Sequence, residues 1–142
     1  MYESAPSIPM QTKEAEKLLN MDNVADIWLY LQMMYAEDNI YKNMFFAFKK
    51  ESDGYRMYLV PWDTDLTWGN TYVDDGEQLY VQWSPEHAQD YLKWPFLDRL
   101  LKLDVGNIQE KVAARWQKLR QDELSDENLK NMLDDCIHEV QD

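Results

Sequence analysis

The chain has 142 residues, 45% of them hydrophobic, which suffices for one domain with a core of its own. Its 27 acidic residues against 14 basic ones give a formal charge of −13, a field that excludes a nucleic-acid backbone as partner and means that any bound ATP needs metal to offset repulsion. One cysteine, Cys136, excludes an internal disulfide and a multi-cysteine zinc site, the two histidines His87 and His138 make a histidine-rich centre untenable, and no stretch has the apolar length of a membrane span.

In chain order, Met1 to Gln11 carries Pro6 and Pro9 and reads as an extended lead-in without the pattern of a signal peptide. Thr12 is placed to cap a short helix, TKEAEKLLN. Asp22 is placed to cap a stronger helix over residues 23–36. There Val24, Ile27, Trp28, Leu31 and Met34 recur at helical spacing, and Leu29, Tyr30, Met33 and Tyr35 make the remaining faces apolar too. A helix apolar nearly all round is buried on several sides.

Glu37-Asp38-Asn39 opens a polar loop that reaches a second amide at Asn43. Two apolar, aromatic-rich runs follow, one over 44–49 and one over 55–60, with Asp53-Gly54 between them, the sequence signal of a β-hairpin. Their mixed alternation predicts strands covered on both faces, and Pro61, which cannot donate a ladder bond, should end the second strand. A hairpin returns the chain to its start, so Asp38 and Asn43 are expected beside Asp63 and Asp65. Two or three carboxylates and an amide in one place form the hard-oxygen set that Mg²⁺ or Mn²⁺ with a bound polyphosphate requires. The residues alone leave a plainer outcome open, in which Asp63 and Asp65 cap backbone N–H groups of an Asx turn and Asp38 and Asn43 are solvated turn residues. Glu37 and Asn39 stand close enough to take the same roles. Trp62 and Trp68 flank the pair and are placed either to wall a site from water or to pack in the core.

Residues 70–89 are polar and irregular, with Asp74, Asp75 and Glu77 around a turn at Gly76, and lack the ligand spacing of an EF-hand. Tyr80, Trp83 and His87 read first as loop or packing residues, with contact to an acceptor substrate as the further option. A helix over 85–103 breaks at Pro95, which starts a new helix rather than kinking an old one, and Gly106 suits a stop. Asn107 opens a helix with Ile108, Val112, Trp116 and Leu119 on one face and Lys111, Arg115, Lys118 and Arg120 on a solvated side. Ser125 opens the last one. Its stripe of Leu129, Met132, Leu133, Cys136, Ile137 and Val140 predicts burial of the thiol. The four glycines, Gly54, Gly69, Gly76 and Gly106, are scattered, so no phosphate-cradling glycine loop can be drawn.

The order Asp38-x-x-x-x-Asn43, strand pair, Asp63 is similar to the C-terminal lobe of protein kinases, where the three positions serve as catalytic base, second metal ligand and first metal ligand. Glu37 before Asp38, and Trp62-Asp63-Thr64 in place of Asp-Phe-Gly, exclude an ordinary eukaryotic-type kinase. The strings DNVADIWLYLQMMYAEDNIYKNMFFAF and YLVPWDTDLTWG resemble the spore coat protein H (CotH) kinase-like family, and the downstream helices are similar to that family's as well. The resemblance covers roughly residues 20–140, and Trp62-Asp63-x-Asp65 followed by Gly69 is its most specific motif.

The resemblance implies an α+β fold, mostly helical with one β-hairpin, corresponding to the C-terminal lobe of an atypical kinase. It implies transfer of phosphate from ATP to a protein hydroxyl with Mg²⁺ or Mn²⁺, Asp38 acting as base and Asn43, Asp63 and Asp65 surrounding the metal. It also implies a cell-envelope or extracytoplasmic setting. With no room for a strand-borne lysine or a phosphate-covering loop ahead of Asp38, residues 1–142 read as one excised domain of a longer protein, 1–11 being lead-in and 12–142 the lobe, inactive alone and prone to dimerise through its exposed face. Two rivals are a catalytically dead scaffold or coat-assembly module, and a glycan- or peptide-binding module using Trp62, Trp68 and Trp83.

Overall fold

The computed structural model describes residues 8–72, 78–80, 84 and 92–140. The elements are α1 (Ile8–Leu18), α2 (Met21–Met34), a single turn α3 (Asp38–Tyr41), β1 (Met44–Glu51), β2 (Gly54–Pro61), β3 (Asn70–Tyr72) and β4 (Gln78–Tyr80), followed by α4 (Pro95–Lys102), a 3₁₀ turn (Val105–Asn107), α5 (Ile108–Gln121) and α6 (Asp126–Glu139). β1 pairs with β2 and β3 with β4, both antiparallel, as two separate two-stranded sheets. The class is α+β and mostly helical, as the pattern of the sequence implies.

α2 is the axis of the core. Val24, Ala25, Ile27 and Leu31 are buried against Leu59 of β2, Leu97 and Leu100 of α4, Val105 and Ile108. The helix starts two residues earlier than its periodicity suggests, because Asn20 rather than Asp22 is the N-cap and accepts from the Asn23 N–H at 2.9 Å. It ends at Met34, with Tyr35 in the left-handed conformation and its N–H on the Leu31 carbonyl. Asp22 and Asp26 face α5 instead, where Lys111 and Arg115 reach them at 2.5 and 2.8 Å. Half of the face expected to be solvated therefore bridges two helices. α1 begins at Ile8, ahead of Thr12, since Pro9 is tolerated in a first turn.

The asparagines before and inside α2 also close one side of the hairpin. The Asn20 N–H donates to Met57 O at 3.1 Å. The Asn23 side chain accepts from Leu59 N at 2.7 Å and donates to Leu59 O at 3.1 Å, so one amide stands in for a neighbouring strand. Burial follows the same asymmetry: Leu59 is 1% exposed, whereas Phe45, Phe46 and Phe48 of β1 are 57%, 52% and 66% exposed. The expectation of strands covered on both faces is thus wrong for β1. The helices lie under β2, and β1 projects past them.

Pro95 starts α4, as read from the sequence. Gly106 sits at φ 58° inside the 3₁₀ turn, where a Cβ would come within 2.8 Å of Met21 Cγ. α6 opens at Ser125, whose hydroxyl accepts from Asn128 N. No residue of α6 is buried, and Cys136 is exposed, which corrects the expected buried thiol. A periodic stripe requires a facing surface, and nothing among the described residues supplies one. The turn at Gly76, its acidic neighbours Asp74, Asp75 and Glu77, and Trp83, His87 and the helix start at Pro85 lie outside the described residues. No described helix is long and apolar enough to cross a membrane.

At the turn end of the hairpin the Tyr58 hydroxyl donates to Glu51 Oε1 at 2.5 Å, and Asn20 Nδ2 donates to the same oxygen at 3.2 Å. These bonds, Tyr58 first, hold the Glu51 carboxyl below the ordinary glutamate value, and the Glu51 acceptor holds Tyr58 above the ordinary phenol value. A depressed carboxyl stabilises the fold above its unfolded pKa and loses that contribution as pH falls through the folded one. The raised phenol contributes below its unfolded value and is lost as pH rises through the folded one. Denaturant titrations across pH should therefore show both an acid and an alkaline decline, and Tyr58→Phe should flatten both limbs.

Candidate functional site

The site is built where the hairpin closes. α2 ends at Tyr35, the turn α3 carries Asp38 on its first residue, and the chain enters β1 through Asn43. On the return, Trp62 N donates to Asn43 O at 2.8 Å, extending the ladder by one pair beyond Met44 and Pro61. This pair sets Asn43 opposite the start of the Trp62-Asp63-Thr64-Asp65 loop.

Side chains then lock the crossing. Asn43 Nδ2 donates to Asp38 Oδ2 at 2.6 Å and reaches the Asp63 carbonyl at 3.5 Å. Lys42 Nζ lies 3.3 Å from the same Asp38 oxygen. Asn39 is fully buried, and its Nδ2 donates to Asn43 O and to Trp62 O, each at 2.8 Å. One amide group thus bridges the outgoing and returning chains at the same level where Asn43 links Asp38 to Asp63.

Backbone conformation marks the same place. Tyr35, Asn43, Asp63 and Trp68 all adopt positive φ, between 52° and 57°. Asn and Asp tolerate this region, whereas each bulky residue held there costs about 1–3 kcal/mol. Trp68 is held by its N–H on Met34 O at 2.7 Å and its indole Nε1 on Met34 Sδ at 3.0 Å. Tyr30 lies under this loop. Burial pushes its hydroxyl above the ordinary phenol value, and the Thr64 side chain approaches it without a well-aligned hydrogen bond.

The structure therefore brings Asp38, Asn43 and the Asp63 backbone together. The Asp63 and Asp65 side chains are exposed, and neither carboxylate takes a hydrogen bond or ion pair among the described residues. The Asx-turn alternative is thus not adopted: Asp65 anchors its loop through its carbonyl, which accepts from Asn70 Nδ2 at 2.8 Å, while its carboxylate stays open. Among the described residues no three His, Cys, Asp or Glu side chains stand close enough to hold a metal ion. The donor set is of the right chemistry for Mg²⁺, which takes one or two carboxylates and completes its shell with phosphate and water. Asp63, Asp65 and the Asn43 amide fit that mode and do not fit an all-protein cage.

Two features escaped the sequence. Asn39 stood there as a reserve for Asp38 and Asn43, and the fold makes it the strap that holds them; only its burial separates the two, and burial is not legible from a single Asn in a loop. The second is an apolar groove of about 680 Å³ between α2 and α5, lined by Trp28, Met33, Tyr35, Trp68, Val112 and Trp116. Trp68 joins this groove rather than a surface shared with Trp62, which packs on Phe45 at 5.9 Å between ring centroids. Both Trp62 and Trp68 are exposed, so neither walls the site from water.

Replacing Asn39 leaves the Trp62 carbonyl without its donor and the Asn43 carbonyl with only the Trp62 N–H, an expected loss of roughly 1–3 kcal/mol. Urea unfolding of Asn39→Ala checks this. Asn39→Asp, which faces the same carbonyls with an acceptor, should be no better than alanine.

Comparison with protein families matches residues 7–142 to the family described as CotH kinase protein. No curated protein and no solved structure matches the chain.

Proposed function

Because the chain belongs to the CotH kinase protein family, we propose that its hairpin site is the metal- and base-bearing half of an ATP-dependent protein phosphotransferase. The observation that carries this reading is the Asn43 amide, bonded to the Asp38 carboxylate and set against Asp63. It supports the reading by drawing together the three residues to which the family resemblance gives the roles of base, second ligand and first ligand.

Asp38 accepts the proton of an acceptor hydroxyl as the acceptor oxygen bonds to the γ-phosphorus and the bond from that phosphorus to ADP breaks. Asn43 and Lys42 hold the carboxylate oxygen in place. Asp63, with Asp65 beside it, and the Asn43 amide oxygen would hold a divalent cation, which would supply the positive charge that offsets the polyphosphate in this acidic chain. The positive φ of Asn43 and Asp63 turns both residues out of the ladder at the point where their side chains are needed. These 142 residues contain no glycine-rich phosphate loop, and on this reading they bind metal weakly and transfer nothing by themselves.

Mn²⁺ titration followed by NMR tests the assignment. Line broadening should centre on Asn43, Asp63 and Asp65, and Asp63→Ala should weaken it roughly tenfold or more, the loss of one charged ligand. Broadening spread evenly over the acidic surface, or unchanged in Asp63→Ala, overturns the reading.

The groove of about 680 Å³ favours a second reading, a peptide- or glycan-binding module without catalysis. It predicts quenching of Trp68 and Trp116 fluorescence by oligosaccharides or apolar peptides, lost in Trp116→Ala, with no dependence on Asp63.

A further inference from the structure

The two edges of the hairpin are treated differently. In the observed register Phe45 faces Val60, Phe46 faces Leu59 and Phe48 faces Met57. Leu59 N and O both turn outward to Asn23, and Met57 O turns outward to Asn20 N, so alternate residues of β2 bond away from β1. By the alternation of an antiparallel ladder, their partners Phe46, Phe48 and Lys50 must also turn N–H and C=O away from β2. Among the described residues nothing meets those groups. One edge is closed by asparagines, and the other is an open row of donors and acceptors two residues apart.

An open row of that spacing recognises an extended polypeptide strand and little else. The side chains say which strand. We infer that the edge pairs with β1 of a second copy, making one antiparallel four-stranded sheet in the order β2, β1, β1 of the second copy, β2 of the second copy. A two-fold axis at Ala47 sets outward-bonding residues opposite outward-bonding residues, as the ladder demands. Phe46 then lies across from Phe48 of the second copy, and Phe48 across from its Phe46, giving two aromatic cross-strand pairs on one face. On the other face Lys49 lies across from Phe45 of the second copy, twice over, and Ala47 meets Ala47. No like charges face each other. The strand also carries Lys49 and Lys50 within a chain of net charge −13, so the acidic field that keeps copies apart is locally offset at this edge.

The pairing explains why three phenylalanines of β1 remain more than half exposed. Phe46 and Phe48 lie on the same face as buried Leu59 but beyond the reach of α1 and α2, so a neighbouring strand can cover them where the helices cannot. A two-stranded ribbon is marginal on its own, and four strands with an aromatic face are not. The interface is isologous and closes at two copies, because the outer edge of each β2 is already blocked.

Sedimentation velocity over a concentration series, with no nucleotide or metal present, tests the inference independently of the phosphotransfer reading. The expected result is a monomer–dimer equilibrium, with slowed amide exchange at Phe46, Phe48 and Lys50 in the dimer. Phe48→Pro deletes an outward N–H that the hairpin does not use, so circular dichroism should be unchanged while dimerisation weakens by roughly tenfold or more. Phe46→Lys leaves every backbone donor in place and should weaken it similarly, and it decides the matter if the proline variant does not fold. A wild-type chain that stays monomeric throughout, or a dimer that survives in the folded variants, overturns the inference.

Discussion

Everything distinctive about this protein depends on the crossing at the mouth of the hairpin, where Asn39 and Asn43 tie the outgoing chain to the returning one. A two-stranded ribbon has no intrinsic reason to keep its open end shut, since its strands are already satisfied within the ladder. Here the amide of a fully buried Asn39 bridges Asn43 O and Trp62 O. The half-buried part of the same crossing, Asn43 on Asp38, then holds a carboxylate in place. Stability and candidate chemistry share one set of hydrogen bonds.

Asparagine recurs because the task recurs. Its side chain has the donor and the acceptor of a peptide unit, and it can present both to a strand without continuing one. Asn23 does this on the edge of β2, Asn20 caps α2, and Asn39 straps the site. The acidic residues divide by the same logic. Asp22 and Asp26 are bound to α5, Asp38 is bound to Asn43 and Lys42, and Asp63 and Asp65 keep their carboxylates open. Among the described residues of the site, these last two carboxylates are the ones with no hydrogen bond or ion pair.

Among the described residues, apolar surface is left uncovered on the overhanging β1, in the groove between α2 and α5, and along the stripe of α6, where Met132, Leu133 and Ile137 are each more than half exposed. Each consists of residues that a composition-based reading assigns to a core. Patches of this kind mark surfaces that meet something else. For β1 the backbone restricts the occupant to an extended strand, because hydrogen-bonding groups carry direction and register. The groove and the helix stripe offer only apolar area, which does not.

What was legible from the residues alone was local. Asp-Gly between aromatic runs specified the hairpin, Pro95 and Ser125 specified helix starts, and the order Asp38, Asn43, Asp63 marked the stretch that the hairpin brings together, because turn geometry and capping depend on neighbours in the chain. The N-cap of α2 was misplaced by two residues because Asn20 and Asp22 are equally good caps locally, and only the docking of β2 against Asn20 separates them. Burial was misjudged for β1, α6 and Cys136 for one reason: an apolar pattern states that a face is able to be covered, and whether another element reaches it is settled by how far the helices extend beneath the sheet. The roles of Asn39 and of the Asp63 and Asp65 carboxylates belong to tertiary structure in the same way, since whether a polar group is spent on the backbone or left free depends on which distant carbonyls arrive beside it.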